Sequence, residues 1–257
     1  MIRVLVTGAE GQLGKCFQKI APNHSNIQFL FKNKSELDIT KIESINKVFE
    51  NEKFDFCINC AAYTNVEQAE KTPEICYSVN AEGVKNLAMV CKVNGVKLIH
   101  ISTDYVFDGK KPEGYLPSDQ TNPINQYGRS KLKGELYVKE LMQNYLIIRT
   151  SWLYSEYGHN FYKSILEKAQ KGETLYVTDD QIGCPTDANH LASYVLNCLQ
   201  KEHWITGIEH FTDKKAMTWF DFAVSILKKH DLDGHVRIVK DKNYRSFAER
   251  PKNSILL

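Results

Sequence analysis

Through the first 150 residues, short apolar runs alternate with stretches whose apolar positions recur every three to four residues. Ile2 to Val6 reads as a buried strand, and Leu13, Cys16, Phe17 and Ile20 share one face of a helix. Ile27 to Phe31 predicts a second strand. Thr40 followed by Glu43 predicts a capping box for a helix carrying Ile42, Ile45, Val48 and Phe49, with the next strand at Phe54 to Asn59. The rhythm continues with a helix from Glu74 to Val93, a strand from Lys97 to Ser102, a helix from Tyr127 to Leu141 and a strand from Tyr145 to Arg149. Such β-α alternation implies an α/β fold with a doubly wound parallel sheet. After Arg149 the pattern loosens: helices at Asn160 to Lys171, Asn189 to Gln200 and Trp219 to Lys229, the last capped by Thr218, and strands at Leu175 to Val177 and Ile208 to Phe211. This half predicts a smaller mixed α/β lobe, giving 1–150 and 151–257 as parts that interleave if the second contributes to the first.

Composition narrows the classes. The 257 residues suffice for one sizeable core, and 42% hydrophobic with 25% charged residues is ordinary for a globular protein. The net charge of +2 is spread without a polybasic stripe, which argues against a nucleic-acid partner. No apolar run has the length of a membrane span or a signal core, so a cytoplasmic protein with no membrane association is expected. Seven cysteines at scattered apolar positions suit reduced, buried thiols. Cys57 and Cys60 spell C-x-x-C, but in a strand they point to opposite faces, which disfavours a redox or zinc role.

The first chemistry lies between the first strand and first helix. Gly8, Gly11 and Gly14 in Thr7-Gly8-Ala9-Glu10-Gly11-Gln12-Leu13-Gly14 permit a tight turn, close approach of a pyrophosphate, and helix packing on the sheet. Three glycines could also merely build a turn; their place at a strand-to-helix junction favours a dinucleotide on the Gly8 to Gly14 segment. This G-x-x-G-x-x-G spacing resembles the short-chain dehydrogenase/reductase superfamily, whose sheet is of the Rossmann type. At the end of the second strand, Lys32, Asn33, Lys34 and Ser35 favour NADP(H) over NAD(H), which stays open because two lysines also suit a solvated turn. Asp38 and Ile39 follow as adenine-side candidates.

Tyr127 and Lys131 stand one helical turn apart. Among 13 tyrosines, roughly one such pair arises by chance, so position must decide. Thr103 follows the strand ending at Ser102, at the carboxyl edge where open α/β sheets bind ligands. A phenol of ordinary pKa about 10 donates poorly near neutrality unless a cation lowers it, and Lys131 is the expected cation. Thr103, Tyr127 and Lys131 are therefore the candidate catalytic set.

Longer stretches resemble the dTDP-4-dehydrorhamnose reductase family. These are Cys60-Ala61-Ala62-Tyr63-Thr64-Asn65-Val66-Glu67-Gln68-Ala69-Glu70, Ser102-Thr103-Asp104-Tyr105-Val106-Phe107-Asp108-Gly109, Arg149-Thr150-Ser151-Trp152-Leu153-Tyr154, Asp180-Gln181-Ile182-Gly183-Cys184-Pro185-Thr186 and Arg250-Pro251-Lys252-Asn253-Ser254. The resemblance implies reduction of the C4 ketone of a nucleotide-linked sugar, with Ala61, Ala62, Tyr63 and Asn80 beside the cofactor. It implies Val66, Asp104 and Trp152 at the substrate, and Asn160 and Arg250 at the nucleotide diphosphate. Tyr105 stands where nucleotide-sugar dehydratases carry a Glu, which favours ketone reduction over elimination of water. Lys15 and His190 stand where some relatives place acidic metal ligands, so no metal is expected. The sequence ends at Leu257, where family members continue into a further helical segment. A homodimer is allowed for. The alternatives are a cofactor-binding regulatory subunit resembling that of methionine adenosyltransferase, and a nucleotide-sugar epimerase.

Overall fold

The structure is a computed structural model, and it describes residues 1–201 and 203–257. The first half runs β1 (Ile2–Thr7), α1 (Gln12–Ile20), β2 (Ile27–Lys32), α2 (Ile42–Asn51), β3 (Phe56–Asn59), α3 (Val66–Lys71), α4 (Pro73–Tyr77), a π-helical segment (Ser78–Gly83), α5 (Val84–Val93), β4 (Lys97–Thr103), α6 (Gln126–Leu141) and β5 (Tyr145–Thr150). The second half runs β6 (Leu153–Tyr154), α7 (Phe161–Gln170), β7 (Leu175–Val177), β8 (Ile182–Gly183), β9 (Thr186–Asp187), α8 (Ala188–Leu199), β10 (Gly207–His210), β11 (Met217–Thr218), α9 (Trp219–Lys229) and β12 (Ile238–Lys240).

Six strands form one parallel sheet in the order β10-β5-β4-β3-β1-β2. Its middle strands are apolar throughout because both faces are covered: all four residues of β3 are buried. Phe17 and Cys16 of α1 pack with Leu191 and Val195 of α8 on one face, and Leu87 and Ala88 of α5 with Val138 of α6 on the other. Ile165, Leu175, Phe222 and Ile226 form a separate core between α7, β7 and α9.

The structure differs from the sequence expectations at four places. Thr40 does not cap α2: its hydroxyl and amide both donate to Asp38, and Lys41 precedes the helix without a side-chain cap. The helix predicted over 74–93 contains the π-helical turn at Ser78–Gly83, which rotates Asn80 inward. The strand at 207–210 leaves the second lobe and pairs in parallel with β5 at the sheet edge. With it goes α8, whose apolar face covers α1. Nothing in their periodicity indicates which lobe's core these elements serve.

Candidate active site

The carboxyl ends of β1, β3, β4 and β5 converge on a cavity of about 450 Å³. Thr103, Asp104, Tyr127, Lys131, Val66, Trp152, Asn160 and Arg250 all line it, beside Gly11, Gln12 and Leu13. A neighbouring cavity of about 270 Å³ is lined by Gly8, Lys34, Asp38, Ile39, Ala61 and Tyr63, and the two meet at Gly11, Cys60 and Ala62.

The glycines are required by close backbone packing. Gly8 has φ +65°, and a Cβ there would stand 2.6 Å from the Ala61 nitrogen. A Cβ on Gly14 would meet the Ala9 Cα at 2.6 Å, so that glycine serves the packing of α1. Thr7 donates to Asn59 at 2.6 Å, and the same Asn59 oxygen accepts the Ala61 amide, tying the glycine turn to the segment after β3. The Asn59 amide in turn faces the buried His100, whose imidazole burial pushes well below its ordinary value. Asn80, turned inward by the π-helical segment, accepts the Tyr63 amide at 2.8 Å and donates to the Tyr63 carbonyl at 2.9 Å. Its role is therefore to fix the Ala61–Tyr63 segment.

At the adenosine end, Asp38 is held below the usual carboxylate range: burial pushes it up, but the Thr40 hydroxyl and amide outweigh that. Lys32 turns to Glu36 at 3.6 Å, whereas Lys34 lines the smaller cavity. Of the two lysines in this turn, Lys34 is the one placed to meet a ligand.

Asn125 caps α6 by accepting the Gly128 amide, which starts the helix one residue before Tyr127. Tyr127 and Lys131 then face Thr103. Burial pushes the Tyr127 phenol well above its ordinary value, opposed by the Thr103 hydroxyl. Lys131 does not supply the expected lowering here, because its ammonium donates to the Ile101 carbonyl at 2.6 Å. Lys131 is itself drawn down to about 8, first by burial, with Glu135 pulling the other way. Burial also lifts Asp104 to about 6, against a 3.0 Å hydrogen bond from Thr103. Its Oδ2 is buried and lacks a well-formed hydrogen bond among the described residues, although the Ser254 hydroxyl lies close enough to oppose the effect of burial. A buried lone acceptor is costly, and a ligand hydroxyl would satisfy it.

These shifts predict a pH profile. Lys131 is charged below about 8 and neutral above it, so turnover that needs the cation falls as pH rises through that value. Between about 8 and the ordinary lysine value near 10.4, the unfolded chain binds a proton the folded chain does not, so stability rises with pH there. A rate profile of Lys131→Met lacking the alkaline limb checks the assignment; an unchanged limb refutes it.

Arg250 donates to Glu67 at 2.7 Å and to the Tyr105 hydroxyl at 3.2 Å, and Tyr105 meets Tyr127 edge-on with ring centroids 5.7 Å apart. Asn160, expected at the diphosphate, commits its carboxamide elsewhere: it accepts the Lys163 amide, capping α7, and donates to Gln12 at 2.7 Å and to the Ser155 carbonyl at 2.9 Å. It thereby ties the glycine loop to the second lobe. Beneath the site, Glu135 takes a bidentate bond from Arg149 at 2.7 and 3.0 Å, and a further one from Ser102. The sequence left Glu67, Glu135 and Trp219 without a role. Glu67 and Trp219 lie far along the chain from their partners, and Glu135, one turn of α6 from Lys131, shows its role only once Arg149 of β5 packs on it.

The family described as the RmlD substrate binding domain matches residues 2–257. A dTDP-4-dehydrorhamnose reductase of Aggregatibacter actinomycetemcomitans is 38% identical over 100% of this chain and 90% of that protein. The chain belongs to the dTDP-4-dehydrorhamnose reductase family. A family structure from Bacillus anthracis, in complex with NADP, is 40% identical and superposes with a TM-score of 0.92 over 100% of this chain and 91% of its own. One from Clostridium acetobutylicum, 38% identical, gives 0.93 over 100% and 90%. A UDP-glucose 4-epimerase of Thermus thermophilus in complex with NAD, 18% identical over 100% of this chain and 90% of its own, gives 0.81 and shares the fold alone. Among the described residues, no cluster of three or more His, Cys, Asp or Glu could hold a metal, and no helix is long and apolar enough to cross a membrane.

Proposed function

We propose that this protein is an NADPH-dependent reductase of the C4 ketone of dTDP-4-dehydro-L-rhamnose. The observation that carries the reading is the single cavity on which Thr103, Tyr127 and Lys131 face a wall containing Asp104, Trp152 and Arg250, next to the glycine turn. Gly8, Gly11, Gln12 and Leu13 would hold the pyrophosphate on the turn that Gly14 lets pack, Asp38 and Ile39 the adenosine, and Ala61, Ala62 and Tyr63 the nicotinamide half, with Asn80 behind them. When bound, NADPH supplies the hydride that reduces C4.

The chain's own part is to place the ketone and complete the alcohol. Tyr127 gives its proton to the C4 oxygen, and the Thr103 hydroxyl hydrogen-bonds the same oxygen as charge develops on it. Lys131 carries the compensating positive charge as the phenol loses its proton. Its ammonium is held beside the site by the Ile101 carbonyl. Asp104 accepts from a sugar hydroxyl through its open Oδ2, Val66 and Trp152 bound the ring, and Arg250 faces the diphosphate with Asn160 steadying Gln12 beside it. A cytoplasmic location suits the seven free cysteines.

Lys34 is the residue to meet the adenosine 2′-phosphate. Purified protein given dTDP-4-dehydro-L-rhamnose generated in place is expected to consume NADPH faster than NADH. Lys34→Ala is expected to reduce that preference about tenfold, the scale of one charged hydrogen bond. Consumption of neither cofactor overturns the proposed activity, and an unchanged preference in the variant overturns the role of Lys34.

A further inference from the structure

The side chain that faces Trp152 comes from a distant stretch of the chain, the start of α9. Trp152 follows β5 with φ +49°, a left-handed conformation that a bulky residue adopts only when its surroundings impose it. Two neighbours do so. Trp219, the first residue of α9, lies parallel to Trp152 with ring centroids 3.5 Å apart and planes within 4°. Gly183 presses on the same indole, where an added Cβ would come within 2.5 Å of Cε2. Trp219 is fixed in turn. Its indole N–H donates to Gln181 at 3.0 Å, Phe161 packs at 4.5 Å, and the capping box of Thr218 and Asp221 sets the helix start beneath it. Both indoles line the cavity that holds Thr103 and Tyr127.

Resting on the proposed activity, we propose that Trp219 is a positioning residue for the keto-sugar: by stacking on Trp152 it holds that indole in its left-handed seat and so sets the depth at which the sugar ring meets Tyr127. Gly183 and Gln181 complete the clamp, which accounts for a glycine and an amide in the Asp180–Thr186 segment far from the reacting atoms. The effect is expected on the sugar, because Trp219 acts through Trp152, which stands on the wall proposed for the substrate. An aromatic stack contributes about 0.5–1.5 kcal/mol beyond its buried area, and tenfold in an equilibrium is 1.4 kcal/mol.

The test is steady-state kinetics of Trp219→Leu and Trp219→Phe, with near-ultraviolet circular dichroism to follow the coupled indoles. The chain has three tryptophans, so Trp204→Phe supplies the spectroscopic control. In Trp219→Leu we expect loss of the paired-indole signal and a KM for the keto-sugar raised about tenfold. The KM for NADPH should stay within twofold, and Trp219→Phe, which retains an aromatic face, should recover most of the affinity. If Leu cannot be purified folded, the Phe variant carries the same comparison with a smaller rise. Unchanged sugar KM in a folded Trp219→Leu that has lost the paired-indole signal overturns the inference while leaving the reductase intact. A wild-type protein that reduces no keto-sugar overturns both. Equal rises in both KM values assign Trp219 to general stability and overturn the positioning role.

Discussion

Tyr127→Phe is expected to lower kcat with dTDP-4-dehydro-L-rhamnose by about 10²- to 10⁴-fold, the range supplied by general acid catalysis, with NADPH binding unchanged. The substitution is conservative in every other respect. The Tyr127 ring meets Tyr105 edge-on at 79°, a contact that phenylalanine keeps, and Asn125 still caps the helix that carries it. Only the proton donor is lost. The deficit belongs in kcat, because the phenol is needed only as the carbonyl oxygen gains charge. Rapid mixing of NADPH-loaded enzyme with keto-sugar measures it. A variant within tenfold of the wild-type rate would mean that the proton comes from another group, with Asp104, lifted to about 6, the next candidate.

The second large effect is on stability. Glu135→Leu is expected to cost about 3–5 kcal/mol, a large part of the 5–15 kcal/mol that holds a typical domain folded. Glu135 and Arg149 are almost completely buried, and the carboxylate also accepts from Ser102. Removing it leaves the guanidinium enclosed with the Pro117 carbonyl at 3.3 Å and the face of Phe107. Urea unfolding measures the loss. The double variant Glu135→Leu with Arg149→Met should recover most of it, since the uncompensated charge is then gone. Glu135 also raises the pKa of Lys131, so in any Glu135 variant that stays folded the alkaline limb of the rate profile moves below pH 8. A loss under 1 kcal/mol would show that the pair is merely tolerated by the fold.

Local pattern made the parallel sheet and the glycine turn readable, because a strand buried on both faces and a turn beneath a helix N-terminus each depend on a few consecutive residues. β1, α1 and the Gly8–Gly14 segment stand where the apolar spacing put them. Thr103, Tyr127 and Lys131 were legible as a set only through the strand-end position of Thr103 and the resemblance of the residues around it. What stayed hidden is long-range. The π-helical turn that aims Asn80 at Tyr63, the return of β10 to the sheet edge, and the meeting of Trp152 with Trp219 all depend on how distant segments pack. The expected lowering of the Tyr127 phenol failed for a related reason. The helical spacing of Tyr127 and Lys131 puts them on one face, but burial and the Ile101 carbonyl, neither visible in that spacing, decide where the charge and the proton sit.

In the proposed reaction hydride reaches C4 of the sugar within this cavity while Tyr127 protonates the oxygen. Supplying NADPH deuterated at the nicotinamide C4 together with dTDP-4-dehydro-L-rhamnose, and locating the label by mass and proton NMR, tests it directly. One deuterium is expected at C4 of the product sugar, stoichiometric with cofactor oxidised. Cofactor oxidised with the label found elsewhere, or a sugar converted with no net oxidation and no label, would contradict it.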